Sequence, residues 1–93
     1  MSLTLKQLHR DTRDWRAANP LRSWRTHKAR FGLTMAQVAF AINVSAQSVG
    51  NWELGRSRPS DSAMVWIAKL LKTKARTLEK EWSEWWSKKP KMI

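Results

Sequence analysis

The sequence contains no cysteine. That excludes disulfides, thiolate metal sites and a cysteine nucleophile. Its two histidines, His9 and His27, do not form a ligand-spaced pair, so no metal cluster can be assembled and no cofactor is expected. No apolar run approaches the ~18 residues that a membrane span needs. Lys6, His9, Arg10 and Asp11 interrupt the N-terminal stretch, which therefore lacks a secretory pattern. The expectation is a cytoplasmic protein. Acidic residues are also scarce: seven Asp and Glu in 93 residues. The pairs Asp11/Asp14 and Glu81/Glu84 have the i,i+3 spacing that surface helices produce routinely, and no serine stands in a recognisable relation to a histidine. Nothing here points to an enzyme.

Against those seven acids stand eighteen Lys and Arg, for a net charge of +11. A net charge of about 2 to 8 suffices for solubility. An excess beyond that is most often matched to the polyanionic backbone of nucleic acid. The length suits a single domain, residues 1–93.

Residues 31–59, FGLTMAQVAFAINVSAQSVGNWELGRSRP, organise the rest. They read as two short helices joined by a tight turn, then a basic loop ending at Pro59. Thr34 can cap the first helix. Val38, Ala39 and Ile42 share one of its faces. Asn43 tolerates the left-handed backbone that a sharp turn requires. Ser45 caps the second helix, in which Val49 and Trp52 point inward. Ala46, Gln47, Gly50 and Asn51 point outward. That outward face has two amides, two small residues and no charge. Glutamine and asparagine can bond both N6 and N7 of adenine in the major groove. Phe40 falls off the buried stripe and is expected to be exposed.

The segment resembles the helix-turn-helix of Cro/CI-type (Xre-like) regulators. The resemblance is carried by Gly32-Leu33-Thr34, Val38-Ala39, Val44-Ser45, Gln47-Ser48-Val49, Trp52-Glu53, Gly55 and Pro59, and covers about 21–78. It implies an all-α fold: a lambda-repressor-like helix-turn-helix DNA-binding domain with additional N-terminal and C-terminal helices. The motif itself would span 34–53. The resemblance places the second helix in the major groove. Gln47 and Asn51 then occupy base-reading positions, flanked by Ala46 and Ser48. Thr34, Gln37, Ser45, Arg56 and Arg58 are the phosphate-binding set. Glu53 stands where the family has a buried acid that bonds loop backbone, so it is read as structural. The family's glutamine after Leu-Thr is here Met35, and Gln37 comes two residues later. Gly50 is a second departure, in a position where a longer residue is common.

Flanking this core, residues 4–18 have helical periodicity, with Leu5, Leu8, Thr12 and Trp15 on one stripe. Asn19-Pro20 ends that helix. The next helix, 21–31, buries Leu21, Trp24 and Phe31. His27 is expected to be half-buried, Lys28 to be partly structural, and Arg22, Arg25 and Arg30 to be mainly solvated. Ser60 caps a helix over 61–72 with Met64, Ile67, Ala68 and Leu71 inward. Trp66 lies off that stripe and needs a cover, for which the two extra helices are the candidates. The last helix, 74–88, carries Ala75, Leu78, Trp82 and Trp85 at near-heptad spacing, with Trp86 adjacent. Trp66, Leu78, Trp82, Trp85 and Trp86 form the expected dimer or partner interface.

The function implied by the resemblance is a transcriptional regulator, a repressor, binding a palindromic operator on double-stranded DNA as a homodimer. An antitoxin that uses the Trp-rich helices to hold a toxin is the alternative. A membrane-surface or single-strand nucleic-acid binder is more remote, because most tryptophans fall on inward stripes.

Overall fold

The structure, a computed structural model, describes residues 4–28 and 32–90, the Lys28 side chain excepted. Six α-helices are found among them: α1 (Leu5–Ala17), α2 (Pro20–Ser23), α3 (Met35–Ile42), α4 (Ala46–Glu53), α5 (Asp61–Leu70) and α6 (Ala75–Ser87). There is no strand among the described residues. Roles expected of Arg30, Phe31 and the Lys28 side chain lie outside the described residues.

Most helices start where their side chains can satisfy the free N–H groups of a first turn. The Thr4 hydroxyl accepts from Gln7 N, and Gln7 reciprocates at Thr4 N, a capping box. Thr34 and Gln37 repeat that box at α3. Ser45 Oγ accepts from Ser48 N at α4, and Ser60 Oγ from Ala63 N at α5. Asn43 has φ 58° and turns the chain sharply between α3 and α4. Asn19 is fully buried and caps α2 through Leu21 N and Arg22 N, with Pro20 fixing the first helical φ.

The segment after Pro20 departs from the regular helix expected there. α2 lasts four residues and continues as a π-helical stretch, Trp24–Lys28. Side chains offer its carbonyls other partners: Thr26 Oγ1 donates to Arg22 O at 2.7 Å, and His27 Nδ1 lies 3.3 Å from Ser23 O. His27 is exposed rather than half-buried, and Trp24 is half-buried rather than interior.

The core forms where α3, α4 and α5 meet. Val38, Val49 and Ile67 are fully buried, with Ala39, Met64 and Ala68 nearly so. α6 closes one side with Leu78 and Trp82, both at 0% exposure. Trp82 Nε1 is buried and has no acceptor among the described residues.

α1 meets α6 through two indoles. The Trp15 and Trp85 rings stack with centroids 4.0 Å apart and planes 2° from parallel. Trp15 Nε1 donates to Trp85 O at 2.7 Å, and Trp85 Nε1 donates to Trp15 O at 2.6 Å. α1 thus packs on its own chain through its C-terminal end, while Leu5 near its start is exposed.

Most of the residues expected at a dimer or partner interface lie inside the chain. Leu78, Trp82 and Trp85 are interior, consumed in seating α6 on the rest of the chain, and Trp86 is half-buried. Trp66 is 53% exposed, and the extra helices do not cover it; Lys69 Nζ lies 4.6 Å above its ring.

Arg25 also differs from its expected solvated state. Its Nε and Nη2 each donate to Glu53 at 2.7 Å, a bidentate pair, and Nη1 donates to Leu33 O at 3.0 Å. Glu53 is buried and structural as expected, but its partner is this guanidinium rather than loop backbone. The hydrogen bond to Glu53 raises the Arg25 pKa above its ordinary value, burial opposes, and the carboxylate charge adds to the rise. A raised cationic pKa contributes stability that is lost only as pH climbs past the arginine range, so Arg25 confers no pH dependence near neutrality. Removing one partner strands a buried charge, at a cost of about 3–5 kcal/mol, whereas replacing both by apolar side chains is often nearly neutral. Arg25→Met is therefore expected to lower unfolding free energy by about 3 kcal/mol in urea titration, and Arg25→Met/Glu53→Leu to recover most of it.

Candidate nucleic-acid interface

The outward face of α4 is small, amidic and uncharged. Ala46 and Gln47 are exposed, and Ser48 and Asn51 are half-buried. Val49 and Trp52, on the opposite side, are buried at 0% and 7% exposure. Ser48 Oγ lies 2.8 Å from Ser45 Oγ, so these hydroxyls form a pair at the helix start.

Gly50 does not open onto solvent as its outward position suggested. A Cβ placed there would lie 3.6 Å from Met35 Sδ, an ordinary van der Waals distance. The two departures from the family pattern therefore meet. The thioether at the start of α3 rests against the backbone of α4, where the family uses a glutamine as brace.

The phosphate candidates divide into two groups. Thr34 and Gln37 begin α3, and Ser45 begins α4. All three are exposed, and all three are engaged in caps. The Gln37 Oε1 is committed to Thr34 N at 2.8 Å, which leaves its amide N–H groups for an anion. Arg56 and Arg58 are exposed on the loop after α4. Arg58 Nη2 donates to Ser83 Oγ at 3.0 Å, and its guanidinium carbon lies 5.8 Å from the Trp86 ring centre.

The C-terminal end of α4 is held by residues that the motif did not point to. Arg16 Nε donates to Leu54 O at 3.1 Å, Lys89 Nζ to Gly55 O at 2.8 Å and Asn19 Nδ2 to Trp52 O at 3.4 Å. Two of these donors are cations at a helix C-terminus, where the macrodipole favours positive charge. In the sequence Asn19-Pro20 marked only the end of the first helix, and Arg16 and Lys89 carried no signal of this role. Gly55 has φ 76°, and a Cβ on it would overlap the Trp15 ring. The position thus needs glycine both for its backbone angle and for the indole lying against it.

The charge distribution sharpens the picture. From Trp15 to Ser60 the sole carboxylate in the sequence is Glu53. It is buried and neutralised by Arg25. The helix-turn-helix therefore shows solvent no acidic side chain along that stretch.

A family model described as helix-turn-helix matches residues 21–78, well over half of the chain. The chain belongs to the Cro/CI-type (Xre-like) helix-turn-helix family. Its fold is the all-α, lambda-repressor-like one, and its family is one of DNA-binding transcription regulators. No curated protein and no solved structure matches the chain. In this helix-turn-helix protein, α3 and α4 are the motif, and α1 and the distal part of α6 lie outside the matched span. No described helix is long and apolar enough to cross a membrane.

The two glycines flanking the end of α4 should respond in opposite directions. Gly50→Ala fits against Met35 and adds helix propensity, so it is expected to raise stability by about 0.5–1 kcal/mol. Gly55→Ala meets both a left-handed backbone and the Trp15 ring, and is expected to cost more than about 1–3 kcal/mol. Thermal melts of the two variants beside the parent check both signs.

Proposed function

We propose that the protein is a transcriptional repressor that binds a palindromic operator in double-stranded DNA as a homodimer. The observation that carries this reading is the outward, uncharged face of α4, with Gln47 exposed and Asn51 half-buried, set in a stretch whose sole carboxylate is buried. α4 enters the major groove. Gln47 and Asn51 read base edges, with Ala46 and Ser48 allowing close approach. Thr34, Gln37, Ser45, Arg56 and Arg58 bond the flanking phosphates, and helix starts favour anions there. One motif reads only a few base pairs, so two copies bind half-sites about 34 Å apart, and occupancy of the operator blocks transcription. The working compartment is the cytoplasm.

The toxin-binding alternative rested on Trp82, Trp85 and their neighbours as a surface. Burial of Leu78, Trp82 and Trp85 removes its support. Of that set, Trp66 is the most exposed, beside a groove of about 340 Å³ lined by Ile42, Val44 and Ala63 among others. It is therefore the residue assigned to contact between subunits.

Selection from a random duplex pool at about 150 mM salt is expected to enrich an inverted repeat with half-sites one helical turn apart. On that operator, Gln47→Ala or Asn51→Ala should each cost about 1–3 kcal/mol while barely changing affinity for random duplex; equal losses on both DNAs would refute base reading. Trp66→Ser is expected to shift sedimentation toward monomer without lowering the melting temperature, and an unchanged dimer would remove Trp66 from the interface.

A further inference from the structure

Two cations from different parts of the chain gather on one indole. Arg58, from the loop after α4, has its guanidinium carbon 5.8 Å from the centre of the Trp86 ring. Lys89, just past α6, has its ammonium 4.4 Å from the same ring. Cation–π attraction offsets part of the repulsion between them. Among the described residues neither has a carboxylate within ion-pair distance; the ion pairs found there are Arg13–Asp14 and Arg25–Glu53. Two cations held over one ring, with no described carboxylate beside them, have the chemistry to bind an anion.

The bonds already made leave capacity for one. Arg58 commits one N–H to Ser83 Oγ, and Lys89 commits one to Gly55 O. The rest of the guanidinium fork and the other ammonium protons are free to bind. The loop backbone adds little: Arg56 N and Ser57 N both turn back to Asn51 O, at 2.9 and 3.4 Å. An anion beside this loop therefore depends chiefly on side chains. Ser83, Trp86 and Lys89 all lie beyond the matched span 21–78.

We propose that Arg58 and Lys89, with Trp86 as their shared platform, form a phosphate clamp that grips the DNA backbone beside the helix-turn-helix, so that α6 extends the footprint beyond the family core. The clamp rests on the DNA-binding reading above. Its ligand is a phosphodiester of duplex DNA, and it adds affinity without sequence information.

The test is the salt dependence of binding to the selected operator, read by fluorescence anisotropy from 50 to 200 mM salt (roughly the range over which phosphate contacts dominate). The proteins are the parent, Arg58→Gln, Lys89→Gln, the double variant, Lys89→Arg and Lys88→Gln. Each of the first two single variants should flatten the log–log slope by about 0.9, and the double variant by about 1.8. Over that fourfold range each lost contact spares about a threefold fall in affinity. Preference for operator over random duplex should stay constant, and Lys89→Arg should restore the parent slope. An unchanged slope in Lys89→Gln overturns the clamp. So does a loss of operator preference at constant slope, which would make Lys89 a support for Gly55 alone. An equal flattening in Lys88→Gln also overturns it, because diffuse charge would then suffice. If Lys89→Gln melts below the assay temperature, Arg58→Gln decides, since its bond is to an exposed serine. A parent protein that binds no duplex fails the underlying reading, a result visible before any variant is compared.

Discussion

Two indoles lie face to face, each bonded to the other's backbone carbonyl, and the placement of α1 against α6 follows from that contact. Stacking is worth about 0.5–1.5 kcal/mol beyond the area it buries. Each N–H···O bond adds about 1 kcal/mol, and losing either ring would orphan a buried carbonyl. The Trp15 ring also lies against Gly55, so α1, α6 and the loop after α4 are fixed by one assembly. Arg16, Asn19 and Lys89 then reach the carbonyls at the end of α4. The elements that look like additions to a helix-turn-helix thus supply the C-terminal support of its second helix.

A second constraint acts at the same place from the opposite side. Glu53, the last residue of α4, is held by Arg25, which also binds Leu33 O just ahead of α3. One guanidinium therefore sets the end of α4 relative to the start of α3. At the same junction, Met35, the first residue of α3, rests on Gly50 of α4. A helix held this way against its neighbour loses little further freedom on docking, and pre-organisation of this kind lowers the cost of association. The orphaned Trp82 N–H shows where the packing was less exacting. The ring fills its volume, and its donor stays unmet among the described residues.

Much of this was legible in the sequence wherever the determining interaction is local. Thr34, Ser45 and Ser60 cap helices with partners three residues away, and Asn43 turns the chain by its own backbone preference. The stripes Val38/Ala39/Ile42 and Met64/Ile67/Ala68 follow from helical period alone. Val49 and Trp52 likewise fix which side of α4 is inside, and Gln47 lies on the other, exposed side. What failed was pairing at a distance. Trp15 and Trp85 each lay on an evident apolar stripe, but periodicity says that a face is buried, not what buries it. The α6 tryptophans were consequently read as surface for another molecule. Arg25 stood among similar cations on one helix, and nothing in the local pattern distinguished it as the partner of Glu53. Trp66 was given a cover because indoles usually have one, and the helices meant to cover it were occupied with each other.

The separation of the indole pair along the chain has a temporal meaning. Trp15 and Trp85 are 70 positions apart. At ordinary rates of translation, roughly 4 to 14 seconds pass between making the first and the second. During that interval Trp15 lacks its stacking partner, and the Gly55 carbonyl just past α4 awaits Lys89. A growing polypeptide can close the α3–α4 turn early, since its contacts are short in sequence. The surface beside it is finished only when residues past Trp85 arrive. The order of synthesis therefore separates acquiring the motif from acquiring its support, and a truncated product would present the first without the second.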